Sequence, residues 1–131
     1  MEKRNKTAED AMSHKLVYID GMDTIKEAVD LIRRENVNAL MVKKRNQHDA
    51  LGILTVSDVI KKVYNLNLDP KEVNVFEIMT KPAIAIPYDM NIRYITRLML
   101  RAKIQSAPVD KMGECIGMIY LNNLLHEGYL I

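Results

Sequence analysis

The sequence predicts an α/β chain (α+β in its mixing of short strands with helices) made of two pseudo-symmetric repeats packed through their small sheets. Each repeat runs helix, strand, helix, strand, strand, helix. Three observations predict it. The stretch Thr7-Ala8-Glu9-Asp10-Ala11-Met12-Ser13 returns as Asn74-Val75-Phe76-Glu77-Ile78-Met79-Thr80, 67 positions later. At the same offset Val17 and Ile19 fall on Ile84 and Ile86, alternating as a strand does. Ile25, Ala28, Leu31 and Ile32 fall on Ile92, Ile95, Leu98 and Met99, the spacing of one helical face.

Each element has its own local signal. Thr7 and Asn74 are followed three residues later by Asp10 and Glu77, close to a capping box, so both leader turns start helices. Thr24 and Asn91 precede the two amphipathic faces as N-caps. Val37-Asn38-Ala39-Leu40-Met41-Val42 matches Ile104-Gln105-Ser106-Ala107-Pro108-Val109 as second strands. The following loop is two residues longer in the first copy, so the offset falls to 65 and pairs Gly52 with Gly117. Third strands at Leu51–Leu54 and Gly117–Ile119 lead into helices predicted over Ser57–Tyr64 and Asn122 to about Gly128. Residues 1–131 are expected to form a single module: a first repeat over 7–64, a connection over 65–73 with Pro70 as helix breaker, and a second repeat over 74–128. Residues before about Thr7 are expected to fray.

Composition excludes several function classes. The chain of 131 residues is 48% hydrophobic with formal charge +2, long and apolar enough for a core and too balanced for nucleic-acid binding. The Lys3-Arg4-Asn5-Lys6 and Lys43-Lys44-Arg45 runs read as a solvated end and a solvated turn. Six tyrosines, one phenylalanine and no tryptophan give no stacking platform for single strands. Cys115 alone excludes an internal disulfide and fits a reducing compartment; it reads as a small hydrophobe rather than a nucleophile. The apolar runs are too short to span a bilayer and no signal-peptide core is present, so a cytoplasmic location with no membrane partner is expected. There is no Walker loop, and His14, His48 and His126 are not spaced with Cys115 as a zinc site; no metal and no catalytic group are expected.

The chemistry concentrates in Gly52-Ile53-Leu54-Thr55-Val56-Ser57-Asp58. A strand entering a helix there would orient backbone N–H groups and the helix dipole toward an anion, and a carboxylate beside them can accept from a sugar diol. The plainer reading of Thr55, Ser57 or Asp58 is a helix cap. The convergence of two such junctions in a cleft between the repeats would suit a small ligand.

Taken together, the paired [Ala/Ile]-Met-[Ser/Thr] turns, the Ser106-Ala107-Pro108-Val109-Asp110 strand and the Gly-x-x-Thr-x-Ser-Asp junction resemble the tandem cystathionine-β-synthase (CBS) domain pair, or Bateman module, over about Thr7 to Gly128. The resemblance implies a non-catalytic regulatory module that senses an adenosine derivative (AMP, ADP, ATP or S-adenosylmethionine) and acts on an unidentified effector protein. It implies no resident cofactor and a homodimer formed through helix faces. It assigns the ribose to Asp58, a phosphate or the ribose to Thr55 or Ser57, and the enclosure of the base to Pro82, Ala83, Ile84, Gln105, Ser106, Ala107 and Pro108. The converse site, with Tyr120 and Asn123 in place of Thr and Asp and with Val17, Ala39, Leu40 and Met41 in place of the second-copy strands, is expected to be degenerate. Asn38 and Gln105, where phosphate-binding relatives carry basic residues, weaken the case for a multiply phosphorylated ligand. A structural dimerisation or docking module with no working ligand site is the alternative.

Overall fold

Each duplicated leader turn adds itself to the sheet of the other sequence repeat. The computed structural model describes residues 6–131 and divides into two compact units: Val17–Ala83, and Ile84–Ile131 together with the described residues up to Leu16. The Lys3-Arg4-Asn5 part of the basic N-terminal run lies outside the described residues, as do most of the positions expected to fray.

In the Val17–Ala83 unit, β1 (Tyr18–Ile19), β2 (Ala39–Val42) and β3 (Gly52–Thr55) form a sheet in that order, parallel then antiparallel. Between the first two strands runs α2 (Ile25–Glu35), an eleven-residue helix that buries Ile25 and Ala28. Thr24 caps it by accepting from the Glu27 N–H, and Asn36 closes it in the left-handed conformation (φ 53°), a geometry asparagine adopts more readily than most residues. The leader turn of the second repeat, α4 (Val75–Ile78), lies in this unit, and Thr80 exchanges both backbone hydrogen bonds with Ile53 on the free edge of β3. Ile19, Ile25, Leu40, Leu54, Val63, Val75 and Ile78 make the core.

The other unit repeats the plan. Its sheet is β4 (Ile86–Pro87), β5 (Ser106–Lys111) and β6 (Glu114–Tyr120), crossed by α5 (Ile92–Ala102) and followed by α6 (Leu121–His126). Here α1 (Ala8–Ala11), from the first repeat, completes the unit, and Ser13 exchanges both backbone bonds with Met118 on β6. Ala8, Ala11, Ile86, Ile95, Met99, Val109 and Ile119 lie in its core.

The two sequence marks, the leader methionine and the strand glycine, meet in space. A Cβ on Gly117 would fall 2.8 Å from both Met12 Cγ and the Ser13 carbonyl oxygen; one on Gly52 would meet Met79 Sδ at 2.9 Å and Val42 Cβ at 3.3 Å. Glycine is favoured because another chain segment crosses the strand there, most tightly at Gly117, not because the backbone is strained. Two predicted elements differ: the strand expected over Gly117–Ile119 extends over Glu114–Tyr120, and the helix after β3 changes type. The helix expected over Ser57–Tyr64 is a single α-turn, α3 (Val56–Val59), that widens into a π-helix over Ile60–Tyr64, with the Asn65 N–H bonded to the Ile60 carbonyl at 2.9 Å. The widened turn buries Val63 and brings the Lys62 ammonium to the Ile78 carbonyl at 3.1 Å, tying this turn to α4.

Candidate ligand site

The junction of β3 and α3 is built by a reciprocal cap. Thr55 is extended (φ −105°, ψ 160°), and its hydroxyl oxygen accepts from the Asp58 N–H at 3.1 Å. Asp58 Oδ2 accepts from the Thr55 N–H at 3.0 Å. This exchange is a folding device, and the chain uses it three more times, at Thr7/Asp10, Thr24/Glu27 and Asn74/Glu77. At Thr7/Asp10 the bonds from the Thr7 backbone and hydroxyl hold the Asp10 carboxyl below its ordinary range.

Asp58 differs from the other box acids in burial, since Asp10, Glu27 and Glu77 are exposed and Asp58 is not. The side chain is only 16% exposed, and Oδ1 accepts no hydrogen bond from the described residues; the Lys62 ammonium stands 3.7 Å from it. The Thr55 hydroxyl, used as an acceptor, keeps its proton to donate. The junction therefore offers one open carboxylate oxygen, one hydroxyl donor and a nearby cation. Ser57 is exposed on α3 and takes no part in the cap. Lys62 carries no sequence signal beyond standing four residues after Asp58, and the widened turn gives it its second contact.

The remaining expected site residues are distributed as follows. Ala83 donates its N–H to the Leu51 carbonyl at 2.8 Å, so Pro82 and Ala83 lie beside the start of β3. At about 3.3 Å per residue, that is about 13 Å along the strand from Thr55. Gln105 is exposed, Ser106 is 7% exposed, and Ala107 and Pro108 are buried in β5, with Ala107 in the core. Ile84 is 42% exposed.

Pro108 leaves a specific mark. At the corresponding place in the other unit the Met41 N–H donates to the Val17 carbonyl at 2.9 Å. Proline has no N–H, so the Ile84 carbonyl lacks the strand donor that Val17 has. Ala39 and Leu40 are buried in β2. At the second junction Tyr120 occupies the N-cap position of α6 with no side-chain capping bond, burial pushes its phenol pKa up, and Asn123 is exposed. That junction has neither the box nor a carboxylate.

A separate charged cluster pins the loop before β3. Asp49, with a side chain 6% exposed, takes the Lys81 ammonium at 2.7 Å and the Arg45 guanidinium at 3.2 Å. Arg45 and then Lys81 hold its carboxyl well below the usual carboxylate range. It staples the loop to the segment carrying Pro82 and Ala83. Among the described residues no group of three or more His, Cys, Asp or Glu side chains is placed to hold a metal, and no helix is long and apolar enough to cross a membrane.

Comparison with known proteins gives a consistent picture. The family model described as CBS domain matches residues 8–65 and 75–129. Its two copies follow the sequence repeats, whereas the compact units exchange the leader turns. The mitochondrial CBS domain-containing protein CBSX3 of Arabidopsis thaliana is 30% identical over 129 residues, covering 91% of this chain and 63% of that protein. An uncharacterised protein of Methanopyrus kandleri is 28% identical over 111 residues, covering 83% of this chain and 56% of its own length. This chain thus spans about three-fifths of these two relatives. Among solved structures, a hexameric CBS-CP12 protein from bloom-forming cyanobacteria superposes with a TM-score of 0.89 at 32% identity, over 92% of this chain and 66% of that one. The CBS domain protein NE2398 gives 0.82 at 27% identity, over 93% and 96%.

Proposed function

We propose a ligand-sensing role from one settled premise: the chain belongs to the CBS-domain family and carries two tandem copies of the domain. Such a pair is in general a regulatory ligand-binding module, and neither of the curated relatives described above bears an enzyme name. The ligand proposed for this chain is an adenine nucleotide or nucleoside, of the AMP, ADP, ATP or S-adenosylmethionine class. The bound state acts on a partner protein, with the module working as a homodimer in the cytoplasm.

The single observation that carries this reading is the open Oδ1 of Asp58 beside the Thr55 hydroxyl. A ribose diol donates to that oxygen through charge-assisted hydrogen bonds, stronger than neutral ones. The Thr55 hydroxyl and the Lys62 ammonium suit a single phosphate. The Tyr120–Asn123 junction offers no comparable group, which favours one working site per chain. Regulation follows only from differential affinity: the ligand shifts the module between two states by as much as it prefers one of them.

Isothermal titration with AMP, ATP and S-adenosylmethionine tests the proposal. Saturable heat near one equivalent per chain for at least one of them is expected. No heat and no thermal shift with any of the three would leave the structural docking module as the better reading.

A further inference from the structure

We propose, on the premise of the ligand-sensing role above, that Lys62 makes the Asp58 junction selective for a phosphorylated, anionic adenosine derivative over an uncharged or cationic one. Two contacts of one ammonium carry the assignment. Lys62 Nζ donates to the Ile78 carbonyl at 3.1 Å, and it stands 3.7 Å from Asp58 Oδ1, the oxygen that the cap leaves open. A lysine ammonium has three N–H donors, so the bond to Ile78 leaves two for a ligand oxygen. The carbonyl also anchors a long side chain that is 47% exposed, so its rotamer freedom is lost on folding and not on binding. Lys62 lies inside the π-helical turn Ile60–Tyr64, and widened turns of this kind recur at functional sites.

The other junctions of the chain serve as comparisons. Four residues after the box acids Asp10, Glu27 and Glu77 stand His14, Leu31 and Lys81. The Lys81 ammonium is taken by Asp49 at 2.7 Å. Among the described residues, Asp58 is the box acid with a lysine ammonium beside it. At the second junction the 65-residue offset sets Asn123 on Asp58 and Glu127 on Lys62. There the carboxylate is missing, and an exposed acid stands where the first junction has its cation.

Charge decides the ligand. The Asp58 carboxylate by itself accepts from a diol but repels a phosphate monoester, which carries about −1.5 to −2 near neutral pH. With Lys62 beside it the pair is neutral, and the phosphate meets an ammonium with donors to spare. S-Adenosylmethionine brings a sulfonium in place of the phosphate, so the ammonium that attracts one ligand opposes the other. Adenosine carries neither charge and meets the junction through its diol alone. A lysine that only strapped the turn after β3 to α4 would affect all three ligands alike.

Isothermal titration of the full chain with AMP, adenosine and S-adenosylmethionine, in the parent and three variants, tests the assignment. The parent should bind AMP more tightly than the other two. Lys62→Met should weaken AMP about tenfold and leave adenosine within about twofold. It should also tighten S-adenosylmethionine. Lys62→Arg retains the charge and should retain the parent order of affinities. Asp58→Ala should weaken AMP and adenosine together, which separates loss of the ribose contact from loss of the cation. A thermal melt of each variant checks folding, and Lys62→Gln replaces Lys62→Met if the latter unfolds. The proposal is overturned if the Lys62 variant weakens AMP and adenosine by the same factor, or leaves AMP unchanged, while Asp58→Ala still weakens both. The ribose reading would then stand without it. A parent chain that prefers S-adenosylmethionine to AMP also overturns it. Absence of binding by the parent to all three overturns the ligand-sensing role and this proposal with it.

Discussion

Substituting alanine at the two strand glycines should separate two kinds of close approach. At Gly117 the added methyl meets the Ser13 carbonyl oxygen at 2.8 Å, a backbone atom already held by its bond from the Met118 N–H at 2.9 Å, as well as Met12 Cγ. The backbone cannot yield without breaking the bridge between leader turn and sheet, so overpacking costs about 3 kcal/mol, the upper end for an added methylene. Alanine also restricts the unfolded chain and recovers about 0.7 kcal/mol. The net loss is about 2 kcal/mol. At Gly52 the nearest atom is Met79 Sδ, the end of a flexible side chain, at 2.9 Å, and the nearest backbone oxygen is 3.7 Å away. A cost of about 1 kcal/mol there is nearly cancelled by the same entropy gain. With an unfolding entropy of about 2.1 cal/mol/K per residue over 131 residues, Gly117→Ala should melt about 7 °C below the parent and Gly52→Ala within about 2 °C of it. Differential scanning calorimetry reads both. Equal shifts would refute the claim that the Met12–Ser13 crossing is the tighter of the two.

Two further outcomes follow from the charged cluster and from the proline. Asp49 has a folded-state carboxyl pKa lowered by Arg45 and Lys81, so its contribution is present above the ordinary carboxylate pKa of about 3.9 and is lost as pH falls through the lower folded value. The gap in urea midpoint between the parent and Asp49→Asn should be widest at neutral pH and should narrow below about pH 4; a gap independent of pH would contradict the assignment. Pro108→Met restores the N–H present at position 41 and lets it bond the Ile84 carbonyl. Thermal stability should therefore hold or rise. A clear fall in melting temperature would mean that the restored N–H finds no partner there.

Much of the fold is legible in local pattern. The 67-residue repeat, the switch from period two to period 3.6 and the caps at Thr7, Thr24, Asn74 and Asn91 each lie within one element, and elements come out close to their predicted places. The exchange of leader turns is not legible, because nothing local in Met12-Ser13 distinguishes Met118 from Ile53 as its partner. That choice is tertiary. The π-helical turn is likewise set by burial of Val63 and by the Lys62 bond to Ile78, contacts made across sixteen positions in the chain. In the site, Thr55 and Asp58 are visible because capping residues and ligand residues are the same types here. What the sequence leaves open is whether the cap exhausts the carboxylate, and the answer depends on the position of one oxygen, Oδ1. Pro108 is conspicuous as a residue, but the carbonyl it leaves without a strand donor, that of Ile84, lies in the segment leading into β4.

The central claim is that Asp58 holds a ribose in addition to capping its helix. Titration of AMP into Asp58→Ala, beside Asp10→Ala as a variant that loses a box acid elsewhere, tests it most directly. Both variants give up the box acid's bond from the N-cap backbone N–H, worth about 1 kcal/mol of stability. Asp58→Ala alone should lose at least tenfold in AMP affinity, about 1.4 kcal/mol. Equal affinity in the parent and both variants would mean that Asp58 is a cap and nothing more.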